Sequence, residues 1–252
     1  MPAFDYGLIA DLYDSFCRFE EDIAFFEMSL VGSAGPVLEL MAGTGRISVP
    51  LLEKGVDLVC VDASLPMLEV LKRKAEEREL GPKIVCCDVR RLPFRSRFQT
   101  GVWPFHGMSE LAEGADRRQA LRELRDALVE GALLIVTLHN PAIRQRTIDG
   151  EWYEHGSFPH LDGQGSVTLS SRLEVDSKDG AIVGVQRVEE LSDAGETVEV
   201  REIALRFALP SRSEMEREFE DLGFAVEELS GDYDASAFDA SESPHMIWKL
   251  RA

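Results

Sequence analysis

The 252-residue chain is short of bases: 27 Lys and Arg stand against 46 Asp and Glu, for a net charge of −19. Phosphate backbones and anionic lipid surfaces are held by clusters of Lys and Arg, so neither nucleic acid nor a membrane is expected as a partner. No stretch approaches the ~18 apolar residues that a membrane helix needs. The first 30 residues lack a basic segment leading into an apolar run, and Asp5, Asp11 and Asp14 come early, so no signal peptide is expected. Cysteine is scarce too. Cys17, Cys60, Cys86 and Cys87 show no metal-ligand spacing. They read as reduced, mostly buried thiols of a cytoplasmic protein, with no metal site. No repeat and no linker composition interrupts the chain. What remains is an ordinary globular composition, 44% hydrophobic and 29% charged, long enough for a full core. Most of the acid excess reads as solvated surface.

Hydrophobic periodicity orders the chain. Two helical patterns open it, at about 6–17 and 19–31, and Gly32 and Gly35-Pro36 stop the second. Strands follow at 37–40, 57–62, 83–87, 99–105 and 132–138, alternating with helices at about 46–54, 66–79 and 117–128. Such alternation predicts a parallel sheet with helices on both faces. From 166 the pattern changes to long β-branched segments at 166–176, 181–191 and 197–209. Lys178-Asp179-Gly180 and Asp193-Ala194-Gly195 separate them, the turn signals of a three-stranded antiparallel meander. A helix at 213–222 and strands at 224–229 and 246–250 close the chain.

Ligands of open parallel sheets sit beyond the carboxyl ends of the strands. This sequence places there Glu39 with the turn Met41-Ala42-Gly43-Thr44-Gly45, then Asp62, Asp88, Phe105-His106 and His139-Asn140. Asp62 lies 19 residues beyond Gly43, the distance expected of a carboxylate that holds a ribose. A nicotinamide-binding protein would also explain Gly43 and Asp62. Its third glycine, however, is Ser48 here, and it leaves Glu39 and Asp88 without a role.

Three motifs carry a resemblance. VLELMAGTGR at 37–46, VDASLPML at 61–68 and CDVRRLPF at 87–94 resemble the first, second and third motifs of the class I S-adenosylmethionine (SAM) methyltransferases. Leu12-Tyr13-Asp14, Asp22 and Phe25-Phe26 are similar to the N-terminal cap of their small-molecule branch, the meander to its lid, and 224–250 to its closing reversed hairpin. The resemblance covers nearly the whole chain. It implies a Rossmann-like, doubly wound α/β fold: a mostly parallel seven-stranded sheet with a reversed C-terminal strand, plus the antiparallel insertion. It divides a single domain into a cap at 1–35, a core at 36–165 and 210–252, and a lid at 166–209.

The family implies cofactor contacts from Glu39, Ala42, Gly43, Gly45, Arg46, Asp62, Ala63, Met67, Asp88, Val89 and Phe105, with Ser64 beside the adenosine. Met41 stands where the family usually has glycine, so its side chain must turn away or narrow the site. Methyl transfer needs alignment more than strong chemistry. His106 and His139 are candidate bases, and Tyr13 resembles a tyrosine that closes over the cofactor. Glu110, Asn140, Trp152, Tyr153 and Tyr233 are candidate substrate contacts, with His155 beside them. The acidic 232–244 segment is expected to help close the substrate site and disfavour anions. The expected function is methyl transfer from SAM, leaving S-adenosylhomocysteine, to an O, N or C nucleophile of a small molecule, by a monomer or homodimer. The alternatives are an inactive SAM-binding regulatory or interaction protein and a nicotinamide-dependent oxidoreductase.

Overall fold

The computed structural model describes residues 5–161 and 163–252; residues 1–4 of the expected cap lie outside it. Five parallel strands form first: β1 (Val37–Leu40), β2 (Leu58–Asp62), β3 (Lys83–Cys86), β4 (Phe98–Trp103) and β5 (Leu128–His139). All four residues of β1 are buried, as expected of a strand covered on both faces. Helices α3 (Ser48–Glu53), α4 (Leu65–Glu76) and α5 (Gly114–Ala127) alternate with them. After α7 (Arg212–Asp221), β10 (Ala225–Ser230) and β11 (His245–Arg251) complete a seven-stranded sheet in the order β10-β11-β5-β4-β1-β2-β3. Strand β11 runs antiparallel to both its neighbours. The order reverses between β1 and β4, so the ligand crevice opens beyond their carboxyl ends.

The second sheet has one strand more than the three expected. The short helix α6 (Pro141–Arg144) leads through a 3-10 turn to β6 (Trp152–Pro159). The strands β7 (Ser166–Val175), β8 (Ile182–Leu191) and β9 (Thr197–Phe207) follow, all antiparallel in sequence order. Strand β6 hid in the sequence because it is an edge strand, exposed along most of its length, with a register shift between Glu154 and Gly156. Little alternation survives in such a segment.

The N-terminal segment is more broken than its periodicity predicts. It forms a 3-10 turn at Tyr6–Ile9, then α1 (Tyr13–Phe16) and α2 (Glu21–Leu30). One straight helix cannot serve both of its layers. Ile9, Leu12 and Phe16 pack on Val167, Val188 and Ile203 of the second sheet, while Phe25, Phe26 and Leu30 pack on the main sheet. Polar ties fix the segment. Arg46 forks onto the fully buried Asp22 at 2.5 and 2.7 Å, and Asp14 accepts from Thr44 Oγ1 and Lys74 Nζ, each at 2.6 Å. The cysteines are all free, but only Cys60 is buried; Cys17 and Cys87 are half-buried and Cys86 is exposed. Among the described residues no helix is long and apolar enough to cross a membrane.

Candidate active site

Two cavities open at the crevice. The first, about 310 Å³, lies over the turn after β1. Gly43 and Gly45 hold this turn at φ +56° and +83°, a backbone that side chains disfavour. A Cβ on Gly45 would come within 2.6 Å of Leu71. Asp62 pins the turn: one carboxylate oxygen accepts from Gly43 N at 2.9 Å and the other from Ser64 N at 2.8 Å. A carboxylate has about four acceptor positions, so each oxygen keeps one for a ligand. Burial holds the Asp62 carboxyl above its ordinary range. Ser64 lines the same cavity, and its buried Oγ has no hydrogen-bond partner among the described residues.

Of the expected cofactor contacts, Gly43, Asp62, Ala63, Met67, Asp88, Val89 and Phe105 line this cavity. Glu39, Ala42, Gly45 and Arg46 stand behind its wall. Glu39 is buried, accepts from Ser48 Oγ at 2.6 Å, and burial pushes its pKa up to about 7. Arg46 is committed to Asp22 and lies 4.3 Å from the Phe105 ring centre. Asp88 is gripped by Arg90, which holds its carboxyl below the usual range. Met41 does not turn away: it lines the cavity at φ +55°, its sulfur against Gly107. The sequence reading missed Tyr6 and the apolar walls Leu65, Pro104 and Leu111.

The second cavity, about 480 Å³, lies between the crevice and the second sheet. Leu169, Ser171 and Leu173 of β7 face it with the two-residue period of a strand, joined by Gln186 of β8 and by Leu205 and Phe207 of β9. Tyr6, Tyr13, Phe105 and Glu110 line both cavities. Phe105 and His106 are consecutive left-handed residues, at φ +51° and +61°. Such strain costs about 1–3 kcal/mol per residue and clusters at functional sites. Here it turns the Phe105 ring onto the common wall. The Glu110 carboxyl receives no hydrogen bond among the described residues, and burial, with Asp62 nearby, pushes its pKa up to about 8. Burial likewise lifts the Tyr13 phenol well above its ordinary range.

His106 and His139 both line the second cavity. They stack with ring centres 3.5 Å apart, and His245 stacks on His106 at 5.1 Å. Burial, the neighbouring rings and Arg144 hold His106 well below its ordinary pKa, and burial and Arg144 hold His139 at about 3. The three rings bring nitrogens within 4.8 Å of one another, a spacing open to a metal ion that the cysteine pattern gave no hint of. Yet the His106 and His139 planes are only 22° apart. Their in-plane lone pairs therefore run side by side instead of converging, and Arg144 adds positive charge. The trio suits a wall of neutral rings better than a metal cage.

Other expected substrate contacts lie elsewhere. Asn140 caps α6 by accepting from Ala142 N and ties down the loop between β10 and β11 by donating to Ala240 O and Ser243 O. Trp152 and Tyr153 are exposed on β6, the Trp152 ring beneath Arg187. Tyr233 is packed in the core against Phe25 and His245. The acids of 232–244 do not face either cavity: Asp234 and Asp239 are exposed and accept from the amides of Ser236 and Ser241 in their own loop. His155 does line the second cavity, its Nε2 2.8 Å from Ser171 Oγ.

Residues 37–131 match the family model described as a methyltransferase domain. The structure is similar to that of the CcbJ methyltransferase from Streptomyces caelestis, with 25% identity, a TM-score of 0.82, and coverage of 100% of this chain and 99% of that one. An S-adenosylmethionine-dependent methyltransferase from Clostridium acetobutylicum shares the fold at 14% identity, with a TM-score of 0.77 and 95% of each chain covered. The demethylmenaquinone methyltransferase of Thermus thermophilus is 30% identical over 132 residues, which are 50% of this chain and 59% of that relative. The match thus spans little more than half the relative's length. The expected fold class, a mostly parallel seven-stranded sheet with one reversed strand and an antiparallel insertion, is the one observed.

Proposed function

We propose that this chain, which carries a class I SAM-dependent methyltransferase domain, methylates an O, N or C nucleophile of a small molecule held in the second cavity. The common wall carries the reading: a cofactor cavity and an acceptor cavity that share Tyr6, Tyr13, Phe105 and Glu110 let two ligands meet end to end. The residues of the first cavity fit SAM. Asp62 keeps acceptor positions for the ribose hydroxyls, Ser64 Oγ has no hydrogen-bond partner among the described residues, and Met67 and Val89 offer apolar faces to the adenine. Glu39 is set back, so it acts on the methionine end through charge and not by contact.

When bound, SAM supplies a methyl already activated by a cationic sulfur. The protein's part is alignment, exclusion of water and custody of one proton. Glu110, with a pKa near 8 on the common wall, is the better-tuned proton acceptor at neutral pH. His139, held near 3, is too weak a base. Its ring and that of His106 shape the acceptor cavity, and Tyr13 stays protonated, able to donate a hydrogen bond. The second sheet closes over a cavity of small-molecule size, which favours a metabolite over a polymer. The free cysteines are compatible with a reducing compartment such as the cytoplasm.

The test is incubation with methyl-labelled SAM and a whole-cell extract, followed by separation of small molecules from polymers and mass spectrometry of whatever gains the label. A labelled metabolite is the expected outcome. Label found in protein or nucleic acid overturns the acceptor class. SAM binding without turnover on any extract points to a regulator.

A further inference from the structure

We infer that the end of the second cavity away from the common wall is an anion site, built to take a carboxylate of the methyl acceptor on Arg144. This deepens the reading above and rests on it for the identity of the ligand as the acceptor. Arg144 ends α6 and lines the second cavity, not the first. In a chain with so large an excess of acid, most of its buried or half-buried arginines are paired: Arg46 with Asp22, Arg90 with Asp88, Arg117 with Glu218, Arg206 with Asp176. Arg125 is half-buried without an ion pair among the described residues, but it lines neither cavity. Arg144 has no carboxylate partner among the described residues. It donates to the Thr147 hydroxyl, and its guanidinium lies 5.8 Å from the Phe207 ring centre. Burial alone, with no anion to offset it, lowers its pKa.

An uncompensated guanidinium half out of water is costly, and the surroundings do nothing to neutralise it. The only acid lining this cavity among the described residues is Glu110, on the common wall. Around Arg144 are donors and neutral rings: the His155–Ser171 pair, and His139. The charge of Arg144 reaches them, since it helps hold His106, His139 and His155 below their ordinary range. Ser109 and His106 line the cavity, and Ser109 Oγ and His106 Nδ1 are buried without a hydrogen-bond partner among the described residues. A planar guanidinium fork matches a carboxylate in a bidentate pair. The cavity is thus polarised, with an acid at the transfer end and an unanswered cation at the other. The strongly negative surface gives no hint of this. It also reverses the expectation that the site disfavours anions: Asp234, Asp239 and Glu242 of the loop behind that expectation are exposed, and the half-buried Asp232 does not line the cavity.

Phenylacetate is a suitable probe, since Leu169, Leu173 and Phe207 offer its ring an apolar seat. Its neutral isostere phenylacetamide is the control. Calorimetry on the full chain, without cofactor and again saturated with S-adenosylhomocysteine, should show phenylacetate binding about tenfold or more tighter than phenylacetamide. Arg144→Gln should erase the preference, and Arg144→Lys, which keeps charge but loses the fork, should keep part of it. Both variants should bind S-adenosylhomocysteine as the parent does, which separates loss of the anion site from loss of the fold. Equal binding of the two probes, no phenylacetate binding, or an undiminished preference in Arg144→Gln overturns the inference. Failure of S-adenosylhomocysteine to bind overturns the SAM reading instead, while the probe ratio in the cofactor-free protein still decides on Arg144.

Discussion

Binding of SAM should expel a proton, chiefly from Glu110. At pH 7 a carboxyl with a pKa of about 8 is roughly nine-tenths protonated. An opposite charge within ~4–6 Å lowers a carboxyl pKa by ~1–3 units. A drop of about 2 units on arrival of the sulfonium leaves Glu110 about one-tenth protonated, a release of roughly 0.8 proton per cofactor. Glu39, at about 7, adds at most about half a proton. The sign follows for affinity: ionising Glu110 opposes binding below its free pKa, so SAM binds roughly fivefold more tightly at pH 7 than at pH 6. Titration calorimetry in two buffers of different ionisation heat counts the protons. S-adenosylhomocysteine, whose sulfur is neutral, is the control and should release clearly fewer. Glu110→Gln should leave only the share of Glu39. Equal release by the two cofactor forms, or undiminished release in Glu110→Gln, refutes the reasoning. The same group acts on folding. Its pKa is raised from 4.5 in the native state, so its contribution to stability is full below about 4.5 and is lost as pH rises through about 8. Glu110→Gln flattens that slope in thermal scans.

Other perturbations test the rest of the site. Asp62→Ala removes the acceptor for Gly43 N and Ser64 N as well as for a ribose, and should weaken S-adenosylhomocysteine binding by about 100-fold or more by calorimetry. Gly107→Ala places a Cβ 2.9 Å from Met41 Sδ and 3.1 Å from Trp103 Nε1. Cofactor affinity should fall and be largely restored by adding Met41→Ala; purely additive effects would show that the two residues do not press on each other. Arg46→Met strands the buried Asp22 and should cost about 3–5 kcal/mol, a fall of roughly 6–20 °C in midpoint for a chain of this size. Adding Asp22→Asn should recover most of it in thermal unfolding.

The cofactor side was legible because parallel strands obey a rule: each ends at the ligand face. Gly43, Asp62, Asp88 and Phe105 could be placed by finding where β1 to β4 stop. His245 escaped because β11 runs the other way, so a residue at the start of its strand pairs with His139 at the end of β5. Reading β11 as reversed was enough to find it, had the rule been inverted for that strand. Arg144 was missed because a short helix shows no periodicity, and because nothing in a sequence records which arginine lacks a partner. Trp152 and Tyr153 misled by composition: an aromatic cluster beside the crevice was read as wall, but the edge strand holds both rings toward solvent. The loop acids misled similarly. Asp234 and Asp239 were read as charge, whereas they serve as acceptors for their own turns.

The wall shared by the two cavities has an evolutionary consequence. Changes at Tyr6, Tyr13, Phe105 or Glu110 are felt by both ligands at once, so those positions are poor places to try out new acceptors. The remaining wall is different. Leu169, Ser171, Leu173, Gln186, Leu205 and Phe207 sit on hairpin strands that contribute nothing to the turn after β1 or to Asp62. Substitutions at Ser171, Leu173, Gln186 or Phe207 alter shape and polarity at the acceptor, whereas Leu169 and Leu205 also pack in one cluster with Tyr6 and Tyr13 of the common wall. The molecule thus separates a donor half from an acceptor half, and changes in the second sheet can retarget it without rebuilding the turn after β1 or Asp62.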